Sequence, residues 1–440
     1  MEAKNKTLKQ LFIPICLEII LFMLAGMVDT LMLSSVSDQA VGAVGTANTY
    51  IGIFIIMFSV ITTGMTAVMT QYIGANQIGI AYQARQVGII FNTVLGVMLS
   101  VFLYFFAGQI LDVVGIADAL RQHAMDYLKI VGGASLLNAL IPIFSGYLRS
   151  FGHTRQPLIA TIIGNVINLA LNAVFLFVFK WGVKGVAYAT VISRVVNLII
   201  VVVESEILIN AKADINRLSN GKVLGQIIKI GLPSALESAL YNVAITLVIR
   251  FLNQMDPDGV NVTARSYACQ ITNFSFSAGA ALSQANAILT GWRIGEGRFD
   301  ECDRKTNKAA IAGIIVAVTI ESLFAIFGGL ITRIFTSDPE MISLVRKILA
   351  IDIFLEAGRV TNLVYGNALK TAGDAIFPAV IAAIFMFLCA VGGTYLFGIR
   401  LEWMVIGAYV GLALDECVRA VGMWLRWKSG KWREMSLVSK

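Results

Sequence analysis

Long apolar runs dominate this chain and leave few folds open to it. Hydrophobic residues make up 57% of its 440 residues and charged residues only 14%, too little polar surface for a water-soluble fold. About twelve runs reach the roughly 20 mostly apolar residues that a membrane span needs. They begin near residues 11, 46, 86, 123, 156, 184, 223, 264, 308, 342, 375 and 402. Lipid offers the backbone no hydrogen-bond partners and the alternation of a membrane barrel is absent, so the runs predict an all-α integral membrane protein.

The two halves of the chain repeat each other at a near-constant offset of 219 to 221 positions. The repeated blocks are Pro14-Leu17-Glu18 with Pro233-Leu236-Glu237, Ile73-Gly74 with Ile294-Gly295, Leu148-Arg149-Gly152-Pro157 with Leu369-Lys370-Gly373-Pro378, and Ala187-Tyr188 with Ala408-Tyr409. Six spans fall in each half, and an even number returns the chain to the side where it started. The repeat therefore predicts two parallel six-helix lobes around a central cavity, an arrangement typical of transporters.

Polar composition places the domain boundaries near the midpoint. We expect an N-terminal lobe over residues 1–209, an interlobe linker over residues 210–222 and a C-terminal lobe over residues 223–440. No segment is long enough for a soluble catalytic or nucleotide-binding domain, and the G-x-x-x-x-G-K-[ST] pattern is missing.

Basic residues are concentrated at the termini and in every second loop, whereas the loop over residues 34–43 has none. The positive-inside rule then predicts a multi-pass protein of the cytoplasmic (inner) membrane with both termini in the cytoplasm. The net charge of +7 reflects this bias, so we expect membrane lipid and no nucleic acid as a partner. The first run is too long for a signal peptide and is expected to remain. The five cysteines show no metal-type spacing, and no metal or other cofactor is expected.

Ionisable and amide side chains inside the spans point to a site in the first lobe. A charge at mid-bilayer costs a few kcal/mol even on lenient scales, so each one needs an explanation. Depth along the helices allows Asp29, Asn168, Asn172, Tyr127 and Thr190 to share one polar pocket in the outer half of the N-terminal lobe. The set could bind a proton or Na⁺, with Asp29, Asn168 and Asn172 as possible Na⁺ ligands. The alternative is a hydrogen-bonded clamp between helices.

The second lobe has its own intramembrane charges, and we expect Glu237, Glu356 and Arg359 to face a substrate cavity. Glu356 and Arg359 are spaced i, i+3 and could also neutralise each other. Glu237 has no opposite charge nearby in the sequence. It must stay protonated, meet Arg359 across the cavity or meet a cationic substrate.

Several of these segments together resemble the multidrug and toxic compound extrusion (MATE) transporters. The resemblance rests on Met27-Val-Asp-Thr-Leu-Met32, on the repeated Leu-[Arg/Lys]-x-x-Gly-[His/Asp]-x-x-x-Pro segments and on Gly185-Val-Ala-Tyr-Ala-Thr190. It implies a V-shaped pair of six-helix lobes and matches the family's coupling carboxylate to Asp29. Where the sodium-coupled drug exporters of the family carry acidic residues, this chain has Tyr241 and Arg359, which leaves the substrate class open.

The resemblance implies a monomeric secondary antiporter that exports organic cations or amphipathic drugs in exchange for H⁺ or Na⁺. A flippase for a lipid-linked precursor is the alternative within the same superfamily, although it would favour a strongly cationic cavity. A membrane-embedded enzyme is the alternative of a different class. We expect no enzymatic activity, because H-E-x-x-H, G-x-S-x-G and His/Cys clusters are missing.

Overall fold

A computed structural model gives the fold and describes residues 6–35, 37–114, 116–210, 217–256 and 258–438. Within these ranges every regular element is a helix. The chain divides into two compact units, unit 1 (Met1–Gly231) and unit 2 (Leu232–Lys440), whose boundary falls inside a long helix. Residues 211–216 of the expected linker lie outside the described ranges, so the linker at 210–222 stays a prediction.

The described residues of unit 1 contain eight α-helices and the start of a ninth. They are α1 (Leu8–Ser34), α2 (Asp38–Gly74), α3 (Ile78–Phe105), the short α4 (Ala107–Val114), α5 (Asp118–Tyr127), α6 (Ser135–Ser150), α7 (Arg155–Ala173) and α8 (Gly182–Leu208). π-helical turns over Leu128–Gly132 and Val174–Val178 extend α5 and α7. A Thr7–Gln10 capping box starts α1, in which each side chain bonds the backbone of the other residue.

Unit 2 continues from the interior of α9 (Asn220–Met255). Its further helices are α10 (Val260–Gly295), α11 (Phe299–Thr332), α12 (Pro339–Ala372), α13 (Ile376–Phe385) and α14 (Met404–Lys428). π-helical turns over Met386–Val391 and Thr394–Arg400 extend α13, and a 3₁₀ turn over Lys431–Glu434 follows α14. The helices α3, α5 and α7 begin 221 positions before α11, α12 and α13, which confirms the internal repeat.

The helices account for the predicted number of spans. Eight of those described are long and apolar enough to cross a membrane, and the bent pair formed by Asp118–Gly132 and Ser135–Ser150 makes a ninth. The three other long helices, α10, α12 and α14, carry more polar side chains and complete a set of twelve. Of these more polar helices, α12 packs against both α10 and α14 in unit 2, and polar side chains such as Asn286, Asp352 and Arg419 are buried there.

The repeated Leu-[Arg/Lys]-x-x-Gly segment is a helix stop. Gly152 and Gly373 both have positive φ, 81° and 103°, a conformation that glycine adopts at little cost. In each unit the N–H of the glycine and the N–H of the residue after it donate hydrogen bonds to carbonyls of the last helical turn. The residue after the glycine donates to the Leu148 carbonyl in unit 1 and to the Leu369 carbonyl in unit 2, both at 2.9 Å. This is the Schellman pattern, and it explains why the glycine recurs.

The fourth span of unit 1 is bent where its counterpart in unit 2 is continuous. The axes on the two sides of the break after Gly132 differ by 43°. The Ser100 hydroxyl on α3 accepts a hydrogen bond from the Leu136 N–H at 3.0 Å, which satisfies one of the backbone donors that the break exposes. The equivalent α12 runs unbroken from Pro339 to Ala372.

Replacing Gly373 by alanine should destabilise the protein by about 1–3 kcal/mol, because a side chain there is strained and overpacked. Its Cβ would lie 2.4 Å from the Met435 carbonyl oxygen. Gly366→Ala, seven residues earlier on α12, is the matched control because nothing lies within 4 Å of its added Cβ. Thermal unfolding in detergent measures both variants, and equal midpoints would contradict the prediction.

Candidate functional site

The candidate site of unit 1 centres on the Asp29 carboxylate, on the second half of α1. The Asn172 side-chain amide on α7 donates a hydrogen bond to Asp29 Oδ1 at 2.6 Å and lies 3.2 Å from Asn168 Oδ1. Asn168 and Asn172 are one helical turn apart and therefore share a face of α7. The three residues form a continuous chain of polar side chains, in which Asn172 orients the Asp29 carboxylate.

Tyr127 and Thr190 complete the group predicted from the sequence. Both side chains are buried, and Tyr127 lies beside Thr190 and within electrostatic range of Asp29. The Thr190 hydroxyl donates to the Val186 carbonyl of its own helix at 2.9 Å, which leaves its lone pairs for a neighbour. Asn48 on α2 also adjoins Tyr127, so α1, α2, α5, α7 and α8 all contribute to the site.

The sequence analysis missed Arg194, a basic residue on α8 that faces this site. It follows Thr190 by four positions, hence one turn along the same face, and it interacts electrostatically with both Asp29 and Tyr127. One of its terminal nitrogens, Nη1, is buried and has no hydrogen-bond partner among the described residues. The spacing from Thr190 was the signal that could have identified it.

Two ion pairs occupy equivalent positions in the two units. In unit 1, Glu18 on α1 pairs with Arg149 at the end of α6 at 2.5 Å. In unit 2, Glu237 on α9 pairs with Lys370 at the end of α12 at 2.8 Å. The partner of Glu237 is thus a basic residue that the sequence analysis did not consider, although the repeat relates Lys370 to Arg149. Each pair joins the first helix of its repeat to the segment before the glycine stop.

Glu356 and Arg359 pair with each other on α12 and belong to a larger network. Arg359 also lies 3.4 Å from Glu416 on α14, whose second oxygen accepts a hydrogen bond from the Asn362 amide at 3.0 Å. Arg419 then bridges Glu416 and Asp415, at 3.0 Å and 2.7 Å. The network links α12 to α14, and Glu356 is fully buried within it.

The unit 1 site and the network between α12 and α14 contain charged and hydrogen-bonding side chains that can bind a proton or another single charge. Within the described residues no group of three or more His, Cys, Asp or Glu side chains is placed to hold a metal ion. The unit 1 site offers one carboxylate among amides and hydroxyls. Such a carboxylate can change charge while its neighbours supply hydrogen bonds.

Comparison with known proteins gives a consistent result over the chain. The model of the MatE family matches residues 14–174 and again residues 233–396, one copy in each half. The chain is 36% identical over 435 residues to the "Uncharacterized transporter YisQ" of Bacillus subtilis, covering 98% of this chain and 95% of that protein. It is 26% identical to the "Probable multidrug resistance protein NorM" of Thermotoga maritima, with 99% and 95% covered.

Solved structures share the fold. "Crystal structure of MATE in the bent conformation" aligns with a TM-score of 0.86 at 20% identity, covering 99% of this chain and 98% of that one. "Outward-facing conformation of a multidrug resistance MATE family transporter of the MOP superfamily" aligns with a TM-score of 0.85 at 17% identity, with the same coverage. At these identities the likeness concerns the fold alone.

The ion pair between Glu237 and Lys370 should contribute to the stability of unit 2. Lys370→Met leaves a partly buried carboxylate unpaired and should lower the free energy of unfolding by about 1–3 kcal/mol. Lys370→Arg, which introduces the residue type of the equivalent position 149, should stay close to wild type. Thermal unfolding in detergent tests both, and Glu237→Gln combined with Lys370→Met should recover part of the loss. A methionine variant as stable as wild type would show that the pair contributes nothing.

Proposed function

This chain belongs to the MatE family of membrane transporters, and from that premise we propose that it is a secondary active antiporter. It exports organic cations or amphipathic drugs, and protons drive the exchange. The observation that carries the proposal is the Asp29 carboxylate, held by Asn172 at 2.6 Å inside a membrane-spanning bundle with Arg194 nearby. An ionisable residue in such a place is functional by default.

A proton suits this arrangement better than Na⁺. Asn172 presents its amide nitrogen to Asp29, so its carbonyl oxygen points elsewhere. An oxygen cage for Na⁺ would require that amide to rotate and several further oxygens to converge. Proton binding requires neither change, because the proton adds directly to a carboxylate oxygen. A sodium gradient is therefore the alternative driving force that the experiment must compare.

Proton binding is coupled to a conformational change through the charge of Asp29. When Asp29 is ionised, the Asn172 amide and the Arg194 guanidinium both stabilise it. When Asp29 takes up a proton, the amide contact weakens and Arg194 loses its counter-charge, so a different packing of α1 against α7 and α8 becomes favourable. A swing from 1:99 to 99:1 between two conformations needs about 5.5 kcal/mol. Substrate binding must supply whatever part of this protonation does not.

For unit 2 we propose that Glu237, Glu356 and Arg359 contribute to substrate recognition. Arg359 lies 5.7 Å from the ring centre of Phe276, so charge and an aromatic surface are available together. Glu237 and Arg359 keep partial exposure, whereas Glu356 is fully buried. Because Glu356 is fully buried, a cationic substrate would reach it only after the surrounding helices moved. The protein is proposed to act as a monomer in the inner membrane, with both termini in the cytoplasm.

Transport into inverted vesicles tests the proposal. Uptake of a fluorescent organic cation should follow an imposed pH gradient and not a sodium gradient. Asp29→Asn should lower gradient-driven uptake at least about tenfold, since a hydrogen-bonded charge is worth about 1.5–3 kcal/mol. Asp112→Asn, at an exposed carboxylate paired with Arg121 at 2.7 Å, is the control and should not change uptake.

Three results would overturn parts of this proposal. Unchanged gradient-driven uptake in Asp29→Asn would show that another group couples the ion. Uptake driven by sodium at constant pH would replace the proton as the driving ion. Movement of a lipid-linked sugar without any cation transport would identify a flippase instead.

A further inference from the structure

Unit 2 contains a group of buried carboxylates, of which only Glu356 has a part in the proposed function. They lie on α11, α12 and α14 and are at most 5% exposed, namely Glu321, Asp352, Glu356, Asp415 and Glu416. Glu321 interacts electrostatically with Asp352 and Glu356, and Asp352 in turn with Glu416. The five carboxylates therefore form one connected group, termed here the unit 2 acid cluster.

The basic residues of the cluster satisfy only some of these acids. Arg359 pairs with Glu356 and Glu416, and Arg419 pairs with Glu416 and Asp415. Neither oxygen of Glu321 has a hydrogen-bond partner among the described residues, and the same holds for Oδ2 of Asp352. Ser275 on α10 adjoins Glu321, but its hydroxyl is likewise unpartnered in that part of the chain.

The charge balance of the cluster cannot hold with every acid ionised. Five carboxylates against the two guanidinium groups would leave three negative charges uncompensated inside the bundle. Each such buried ion carries a large desolvation penalty, even after the protein relaxes around it. A carboxyl group in that position takes up a proton instead. Glu321 and Asp352 are the two members that form no salt bridge with Arg359 or Arg419, so two of the three uncompensated charges would fall on them.

The fold itself does not require these acids. The residues that stand 221 positions earlier, on the equivalent helices of unit 1, are Ser100 for Glu321, Val131 for Asp352, Ser135 for Glu356 and Val195 for Glu416. These four are uncharged, whereas the fifth acid, Asp415, stands at the position of the basic Arg194, so unit 1 builds the same six spans without any of the five acids. At the position of Glu321, Ser100 serves a structural purpose by accepting the Leu136 N–H. The acids are thus an addition to the shared scaffold.

We propose that Glu321 and Asp352 form a second proton-binding site, located in unit 2 and separate from Asp29. Each carboxylate takes up one proton from water and returns it as a proton, with no other bond made or broken. The described side chains offer no cluster of His, Cys, Asp and Glu suited to a metal ion, which favours the proton as the ligand. In this respect the proposal deepens the proposed function and rests on it, since protons drive that exchange.

Other charged and titratable groups surround this site on the packed helices and set the pH range in which it works. Glu356 and Arg359 on α12 and Glu416 on α14 act on it directly, while Asp415 and Arg419 act through Glu416. Farther from the two carboxylates lie Tyr241 on α9, Arg265 and Cys269 on α10, and Tyr409 on α14. Because Arg359 and Arg419 are already paired with acids, protonation of Glu321 and Asp352 leaves the salt bridges of the network intact.

Infrared difference spectroscopy between acid and alkaline pH tests the proposal directly. The carbonyl stretch of a protonated carboxylic acid, identified by its shift in D₂O, is measured on the purified full chain in sodium-free buffer. All samples carry Asp29→Asn, so that the unit 1 carboxylate does not contribute. We expect a pH-dependent band that Glu321→Gln and Asp352→Asn each reduce and that the combined variant reduces further.

A control and a second variant keep the result decisive. Glu340→Gln changes an exposed acid in the first turn of α12 and should leave the band unchanged. If Glu321→Gln does not fold, Glu321→Ser introduces the residue type found at the equivalent position 100. A band of undiminished intensity in the combined variant would overturn the proposal. So would a band that sodium abolishes at constant acid pH, because the site would then bind a cation.

Failure of this proposal and failure of the proposed function give different results. The infrared measurement needs neither substrate nor a gradient, so it reports on Glu321 and Asp352 even if the vesicle experiment shows no antiport. Conversely, proton-driven uptake that depends on Asp29, together with no band from Glu321 and Asp352, would retain the antiporter and remove only the second site.

Discussion

The membrane interior supplies no water to polar groups, and most features of this protein follow from that constraint. Backbone groups must bond within the chain, so the described part folds entirely as helices. For the same reason, buried ionisable side chains must find a partner of opposite charge or become neutral. Glu18 pairs with Arg149 and Glu237 with Lys370, in equivalent places of the two repeats. The repeated motif thus ends a helix through its glycine and neutralises a charge on another helix through its basic residue.

The two units share a scaffold but distribute charge differently. Unit 1 places a single carboxylate, Asp29, among amides and hydroxyls beside Arg194. Unit 2 places its acids on other helices and joins several of them to two arginines. A duplicated fold can therefore carry two unlike sites, because substitution of a few inward-facing residues leaves the apolar packing of the spans in place.

Reasoning from sequence was most successful where a local rule fixes the outcome. Run length and composition predicted the spans, and the 221-residue offset predicted the correspondence between helices. It was less successful where two distant segments meet. Lys370 was not considered as the partner of Glu237, and Arg194 was not connected with Asp29, because both contacts depend on how separate helices are rotated about their axes. Sequence spacing gives the face on which a residue lies but not the helix that this face contacts.

The sequence by itself determined an all-helical, twelve-span membrane protein with a duplicated plan, since lipid allows few other arrangements for runs of this length and polarity. It also identified Asp29 and the asparagines of α7 as polar residues whose transfer into the membrane interior is unfavourable. Only the tertiary structure decided which charges are compensated. Arg359 is shared between Glu356 and Glu416, while Glu321 has no basic partner among the described residues. Compensation depends on distances of a few ångströms between helices, and these arise only when the helices pack.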